Sequence, residues 1–212
     1  LDNLFIDIGA KNAEEARRLV QIGDFAVYEA PRFEQNGVLC GPYLDNRIGC
    51  VTLLLMMEQL ADKEIENDLY FVFTAQEEVG LRGAGAAAFA VEPDAAIAVD
   101  VTDTGDLPEM KSAMAVELGK GPAVKVMDRS VICTPAVVDA LEQAAEDCGV
   151  SAQREILLCG GTDTSALQKA RAGVQAGAVS IPTRYIHSPS ELCAVSDVED
   201  AAKLLAQYAL QK

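Results

Sequence analysis

The run Leu69-Tyr70-Phe71-Val72-Phe73-Thr74 is the most strand-like stretch of the chain, and it ends on Gln76-Glu77-Glu78-Val79-Gly80. Its aromatic and β-branched residues predict a buried strand. Two adjacent carboxylates at the mouth of such a strand are costly to bury unless something positive pairs with them. The glycines that follow, in Gly80-Leu81-Arg82-Gly83-Ala84-Gly85, let the backbone turn tightly into a helix of small residues. In open α/β sheets, ligands bind outside the carboxyl ends of the strands, which is where these carboxylates stand. A lone Glu-Glu pair is ordinarily a solvated acidic turn. Its meaning changes when other acids or an imidazole lie at neighbouring strand ends.

From Tyr43 onward, strand and helix patterns alternate. Asp45 to Ala61 reads as a long apolar helix carrying Ile48, Val51, Leu54, Leu55, Met57 and Leu60, expected to be buried on most sides. After the strand at 69–74 come a helix at 83–91 and a strand at 95–100. A β segment from Ala123 to Met127 follows a Gly-Lys-Gly-Pro turn. Thr134-Pro135 opens a helix over 135–148, with Pro in its first turn and Gly149 just past its end. A strand at 156–159, a helix at 163–172, a strand at 178–181 and a closing helix from about Asp197 to Leu210 complete the pattern. Such alternation predicts an α/β fold, a mainly parallel sheet with helices on both faces.

The opening differs. Leu4–Ile8 and Phe25–Tyr28 read as strands, Asn12 caps a helix over 13–20, and Asn36-Gly37 is a hairpin turn. We read residues 1–42 as the C-terminal part of a small β-rich domain, and 43–212 as the larger part of the α/β domain. A chain that opens on Leu1, directly before a strand pattern, is expected to be a fragment or to start internally.

Composition narrows the function. The net charge is −16, from 33 acidic and 17 basic residues, so the clustered Lys and Arg that nucleic acid requires are missing. No apolar run approaches the roughly 20 residues of a membrane span, and no signal-peptide pattern opens the chain. The six cysteines show no CxxC spacing, which favours reduced thiols and a cytoplasmic protein.

Further candidate ligands fall at loops and strand ends. Asp45 stands just before the long helix, where an N-cap is the commoner role. Asp100 ends the apolar run Ile97-Ala98-Val99, Asp163 follows Gly160-Gly161-Thr162, and His187 is the only histidine. Zinc takes N and O ligands, and two-metal sites hold their ions about 3.5–4 Å apart. Three carboxylates and one imidazole supply most of such a site, and a fourth carboxylate is free to act as general base.

Leu44-Asp45-Asn46-Arg47, Gln76-Glu77-Glu78-Val79-Gly80, Val99-Asp100-Val101-Thr102, Gly161-Thr162-Asp163 and Arg184-Tyr185-Ile186-His187-Ser188-Pro189 occur in that order. Together they resemble the dinuclear-metal aminopeptidases of the glutamyl/deblocking, or tetrahedral aminopeptidase, family. Phe5-Ile6-Asp7-Ile8-Gly9-Ala10 and Ile22-Gly23-Asp24 are similar to that family's inserted β domain, so the resemblance spans the chain.

The resemblance implies a zinc-peptidase catalytic domain in which Asp45 bridges two metals and Glu77 is the general base. Glu78 and His187 would bind one metal and Asp100 the other, with Asp163 and Arg184 as candidate substrate contacts. It implies two divalent ions, Zn²⁺ or Co²⁺, a peptide substrate, and homo-oligomers ranging from dimer to dodecamer. The family also has an upstream His-x-Asp motif, and no histidine precedes Asp45 here. We therefore expect a chain that begins inside the inserted domain, with one metal position a ligand short.

Two other readings compete with the metal-dependent aminopeptidase. A glycoside hydrolase of endoglucanase type needs two carboxyls roughly 5–9.5 Å apart across a sugar. Sugar platforms are usually aromatic, and the chain has no Trp. A non-catalytic fragment or assembly subunit would follow from the short ligand set.

Overall fold

The computed structural model describes residues 4–108 and 114–211. At its centre lies a strand, Gln175–Arg184, buried at every position from Ala176 to Thr183. In chain order the elements are α1 (Ala13–Leu19), β1 (Phe33–Gln35), β2 (Val38–Gly41), α2 (Leu44–Leu60), α3 (Arg82–Val91), β3 (Ala95–Thr102) and β4 (Ala123–Met127). They continue with α4 (Pro135–Cys148), β5 (Gln153–Ile156), α5 (Thr164–Gln168), the central β6, β7 (Glu191–Ala194) and α6 (Val195–Ala209). No described helix is long and apolar enough to cross a membrane.

The fold is α/β as expected, but the sheet is mixed rather than mainly parallel, its strands ordered β1-β2-β7-β6-β4-β5 with β3 pairing with β6. β3 runs parallel to β6 over its full length, from Ala95 opposite Gln175 to Thr102 opposite Pro182. β4 is parallel to β5 but antiparallel to β6. β7 is antiparallel to both β6 and β2. Successive residues of β3 point to opposite faces. Ile97, Val99 and Val101 join a core formed with α2, α4 and α6, while Ala96 packs in a second cluster with Ala88 of α3 and Leu167 of α5. Helices therefore cover both faces.

Several elements stand where the pattern placed them. β4 and α4 have the expected bounds, and Gly149 terminates α4 at φ 71°. Asn12 caps α1 by accepting the Glu15 N–H at 2.9 Å. Asn36 and Gly37 turn the β1–β2 hairpin with φ 54° and 74°.

Others differ. Residues 4–8 and 25–28 are not strands, and apolar side chains there are exposed, among them Phe5 and Phe25. The expected strand at 156–159 is β5, four residues long and ending at Ile156, and the helix at 163–172 is reduced to α5. β7 was not anticipated. In α2, Val51 is 42% and Leu54 56% exposed, so this helix is not buried on most sides.

The largest departure is 69–74. It belongs to no strand, and none of its backbone groups is hydrogen-bonded to another described residue. It lies across a cleft of about 1120 Å³ from β3, with α2 on one face and α3 on the other. The edge of β3 away from β6 has no strand partner among the described residues. The run has the composition of a buried strand, but no strand among the described residues pairs with it.

A charged group is fully buried in the core. Lys125 of β4 reaches Glu155 Oε1 on β5 and lies 3.6 Å from Asp128 Oδ2, with all three side chains shielded from solvent. Thr102 donates to the same Glu155 oxygen at 2.9 Å.

Candidate metal centre

The turn from Ala75 to Gly83 presents Glu77 and Glu78. It is closed by backbone bonds from Gly83 N to Ala75 O (2.9 Å), Arg82 N to Gln76 O (3.3 Å) and Leu81 N to Glu77 O (2.9 Å). A Cβ on Gly83 would stand 2.5 Å from Ala75 N, closer than atoms approach, so the tight closure requires glycine there.

Asp45 precedes the regular part of α2, since φ/ψ at Asp45 and Asn46 are non-helical. The N-cap role expected of Asp45 falls to Asn46 instead. Its Oδ1 accepts the Gly49 N–H at 3.1 Å, three residues on, and its Nδ2 donates to Val99 O at 2.7 Å. Asp45 makes no such cap, and its carboxylate lies against Glu78 and His187 instead. His187 follows β6 in a left-handed conformation, φ 61°, which turns its ring toward the same point.

There the three side chains meet. His187 Nε2 lies 3.0 Å from Asp45 Oδ2 and 3.3 Å from Glu78 Oε2. One ligand atom from each residue falls within 4.8 Å of the others. Asp45 is largely buried, at 12% side-chain exposure, while Glu78 and His187 are open to solvent. One imidazole nitrogen and two carboxylate oxygens match the three-ligand complement of a catalytic zinc site. They leave an open side for water or substrate.

The neighbouring acids are protonated more readily than usual. Burial, then the charge and hydrogen bond of Glu78, raise the Asp45 pKa to about 6. Burial, followed by the charges of Asp163, Glu78 and Asp45, raises that of Glu77 to about 7. Burial holds Asp100 well above the carboxylate range although its Oδ1 accepts the Val101 N–H at 2.9 Å. Asp163 is raised by burial, against a hydrogen bond from Thr74. So many carboxylates with one imidazole form a site short of positive charge, which a divalent cation would supply.

The remaining sequence candidates divide. Asp163 makes no side-chain cap to α5. It accepts from Thr74 Oγ1 at 2.7 Å, and its Oδ1 is buried without a partner. Arg184 is engaged elsewhere, in a two-pronged contact with Asp106 at 3.1 and 2.6 Å. Sequence reasoning passed over Glu191, whose buried carboxylate accepts backbone N–H groups of both Asp45 and His187. Its one sequence signal was an acid four residues after the lone histidine.

Comparison with known proteins fixes the lineage. A family model described as M42 glutamyl aminopeptidase matches residues 1–204. The chain belongs to the M42 glutamyl aminopeptidase family. A putative aminopeptidase from Acetivibrio thermocellus is 48% identical over 98% of this chain and 62% of its own length. The structure of an aminopeptidase from the archaeon Desulfurococcus kamchatkensis superimposes with a TM-score of 0.92 at 36% identity, over 97% of this chain and 59% of that one. The TET1 peptidase of Pyrococcus horikoshii, which can assemble into a tetrahedron or a large octahedral shell, gives 0.85 at 36% identity, over 97% and 60%. The chain thus spans about three-fifths of the length of these M42 relatives.

Proposed function

We propose that this chain carries the metal-binding side of an M42 aminopeptidase that releases N-terminal residues from peptides. The observation that carries the reading is the convergence of Asp45, Glu78 and His187 within 4.8 Å. A divalent ion held there, Zn²⁺ or Co²⁺, would polarise the scissile carbonyl and acidify bound water. Glu77 is the general base: it takes the proton from the attacking water and returns it to the leaving amine. In the metal-free site burial, then the charges of Asp163, Glu78 and Asp45, raise its pKa to about 7. Asp163, whose charge acts on Glu77, is the proposed substrate contact, whereas Arg184 ties β6 to Asp106.

Asp100 with Asp45 would form the second position of a dinuclear centre. It has two carboxylates and no imidazole in this chain, so it should hold its ion weakly. Metal is favoured over the glycosidase, since Asp45 and Glu78 are close enough to hydrogen-bond each other, nearer than the roughly 5–9.5 Å a sugar needs between carboxyls, and both reach the His187 imidazole at 3.0 and 3.3 Å. Assembly into dimers or larger homo-oligomers is proposed by analogy with the TET1 peptidase.

Zinc titration by calorimetry tests the reading. One tightly held ion is expected, lost in His187→Ala, with little peptidase activity for this chain alone. A parent chain that binds no zinc would overturn the metal centre. Brisk cleavage of an aminoacyl-anilide would overturn the incomplete second position.

A further inference from the structure

We infer that Glu191 is a positioning residue that fixes two ligands of the proposed centre at once, by holding the backbone of Asp45 and of His187 with one carboxylate. Glu191 opens β7 and is 3% exposed. Its Oε2 accepts the Asp45 N–H at 3.0 Å and its Oε1 accepts the His187 N–H at 2.9 Å. The two ligands come from regions 142 positions apart in sequence (187 − 45), one before α2 and one after β6. No ladder hydrogen bond joins them. The Glu191 carboxylate is the hydrogen-bonded link between their main chains.

Its chemistry matches that role. No Lys or Arg among the described residues lies within ion-pair distance of Glu191, so a buried carboxylate is kept without a cationic partner. Such a group is costly unless its oxygens are hydrogen-bonded, and each oxygen has one backbone donor. Both donors belong to ligand residues, so any shift of the carboxylate moves both ligands. Its negative charge also stands behind the trio and adds to the attraction for a cation. Partners outside the ligand set commonly govern affinity in this way. β7 itself is clamped between β6 and β2, which gives the carboxylate a rigid base.

The inference rests on the metal reading above, and its test separates the two. Glu191→Gln keeps the shape but offers a single acceptor oxygen, so one of the two backbone N–H groups must face an amide NH₂. Calorimetric zinc affinity of the 212-residue chain should fall roughly 10- to 100-fold, and the visible absorption of the cobalt form should change. Glu191→Asp keeps the charge and both acceptors and should recover part of the affinity. A purely structural role would lower the melting temperature and leave the affinity and cobalt spectrum of the folded protein unchanged, which overturns the inference. A parent that binds no zinc overturns the metal reading and this inference with it. Parent and Glu191→Gln binding zinc equally overturn this inference alone. If Glu191→Gln does not fold, amide exchange on the metal-free parent decides: slow exchange at both Asp45 and His187 is expected, and fast exchange at either rejects the link.

Discussion

At the scale of single residues, the acids around His187 make stability depend on pH in an unusual direction. Unfolded carboxylates titrate near 4, whereas folded Asp45 and Glu77 titrate at about 6 and about 7. Between those values the folded state holds protons that the unfolded state has released. The contribution of these two groups is therefore fully present below pH ~4 and is lost as pH rises through 6 and 7. The metal-free protein should melt at a lower temperature at pH 7.5 than at pH 5, and Asp45→Asn should flatten that slope. A melting temperature that climbs steadily over this range would contradict it. Zinc held by Asp45 must displace the proton on that carboxylate, so its affinity should rise as pH passes through about 6. Glu77→Gln, made in a full-length M42 relative at the matching position, should lower turnover by about 10²-fold or more and leave metal content unchanged. Released metal would mean that the two glutamates exchange roles.

These residues were legible to different degrees. Asp45, Glu78 and His187 were read as ligands through the family resemblance, since each alone had a commoner role, as a helix cap, a solvated acidic turn or an isolated histidine. The capping role was misassigned by one residue, since Asp and Asn are equally good caps and Asn46 sits next door. Glu191 left only a faint signal, an acid four residues after the lone histidine, because its partners are two backbone groups and backbone contacts leave no mark in side-chain patterns.

Among the elements, those governed by local chemistry were the readable ones. Asn12, Asn36-Gly37, Pro135 and Gly149 each act on their immediate neighbours, and the elements they bound lie at or within a residue of the expected ends. Strands were less readable, because a strand exists only when a neighbour pairs with it. Leu69–Thr74 has strand composition and no pairing, while β7, only four residues long, is a strand because β2 and β6 flank it. The Lys125–Glu155 contact between β4 and β5 was equally hidden, since a charged residue in a short strand normally marks its solvent face. Lys125→Met should cost about 3–5 kcal/mol, because it leaves Glu155 and Asp128 buried without their cation. Removing Glu155 as well, in Lys125→Met/Glu155→Met, should restore part of that loss. Denaturant unfolding would measure both, and a Lys125→Met variant as stable as the parent would refute the assignment.

For the molecule as a whole, the cleft between β3 and 69–74 has a consequence for how copies of the chain behave toward one another. One wall is a run whose backbone has no hydrogen-bonded partner among the described residues, and the other is a strand edge with no strand neighbour among them, so the cleft is a template for an extended peptide. What restrains this stickiness is the net charge of −16, which keeps like molecules apart in dilute buffer. That protection is only as long-ranged as the ionic atmosphere allows, about 10 Å at 0.1 M salt and about 3 Å at 1 M. Light scattering should therefore show clustering that grows as sodium chloride is raised, the reverse of an association built on ion pairs. Val72→Lys, placing a charge in the open wall, should suppress it. Clusters that dissolve with added salt, or persist in Val72→Lys, would trace the association to another surface.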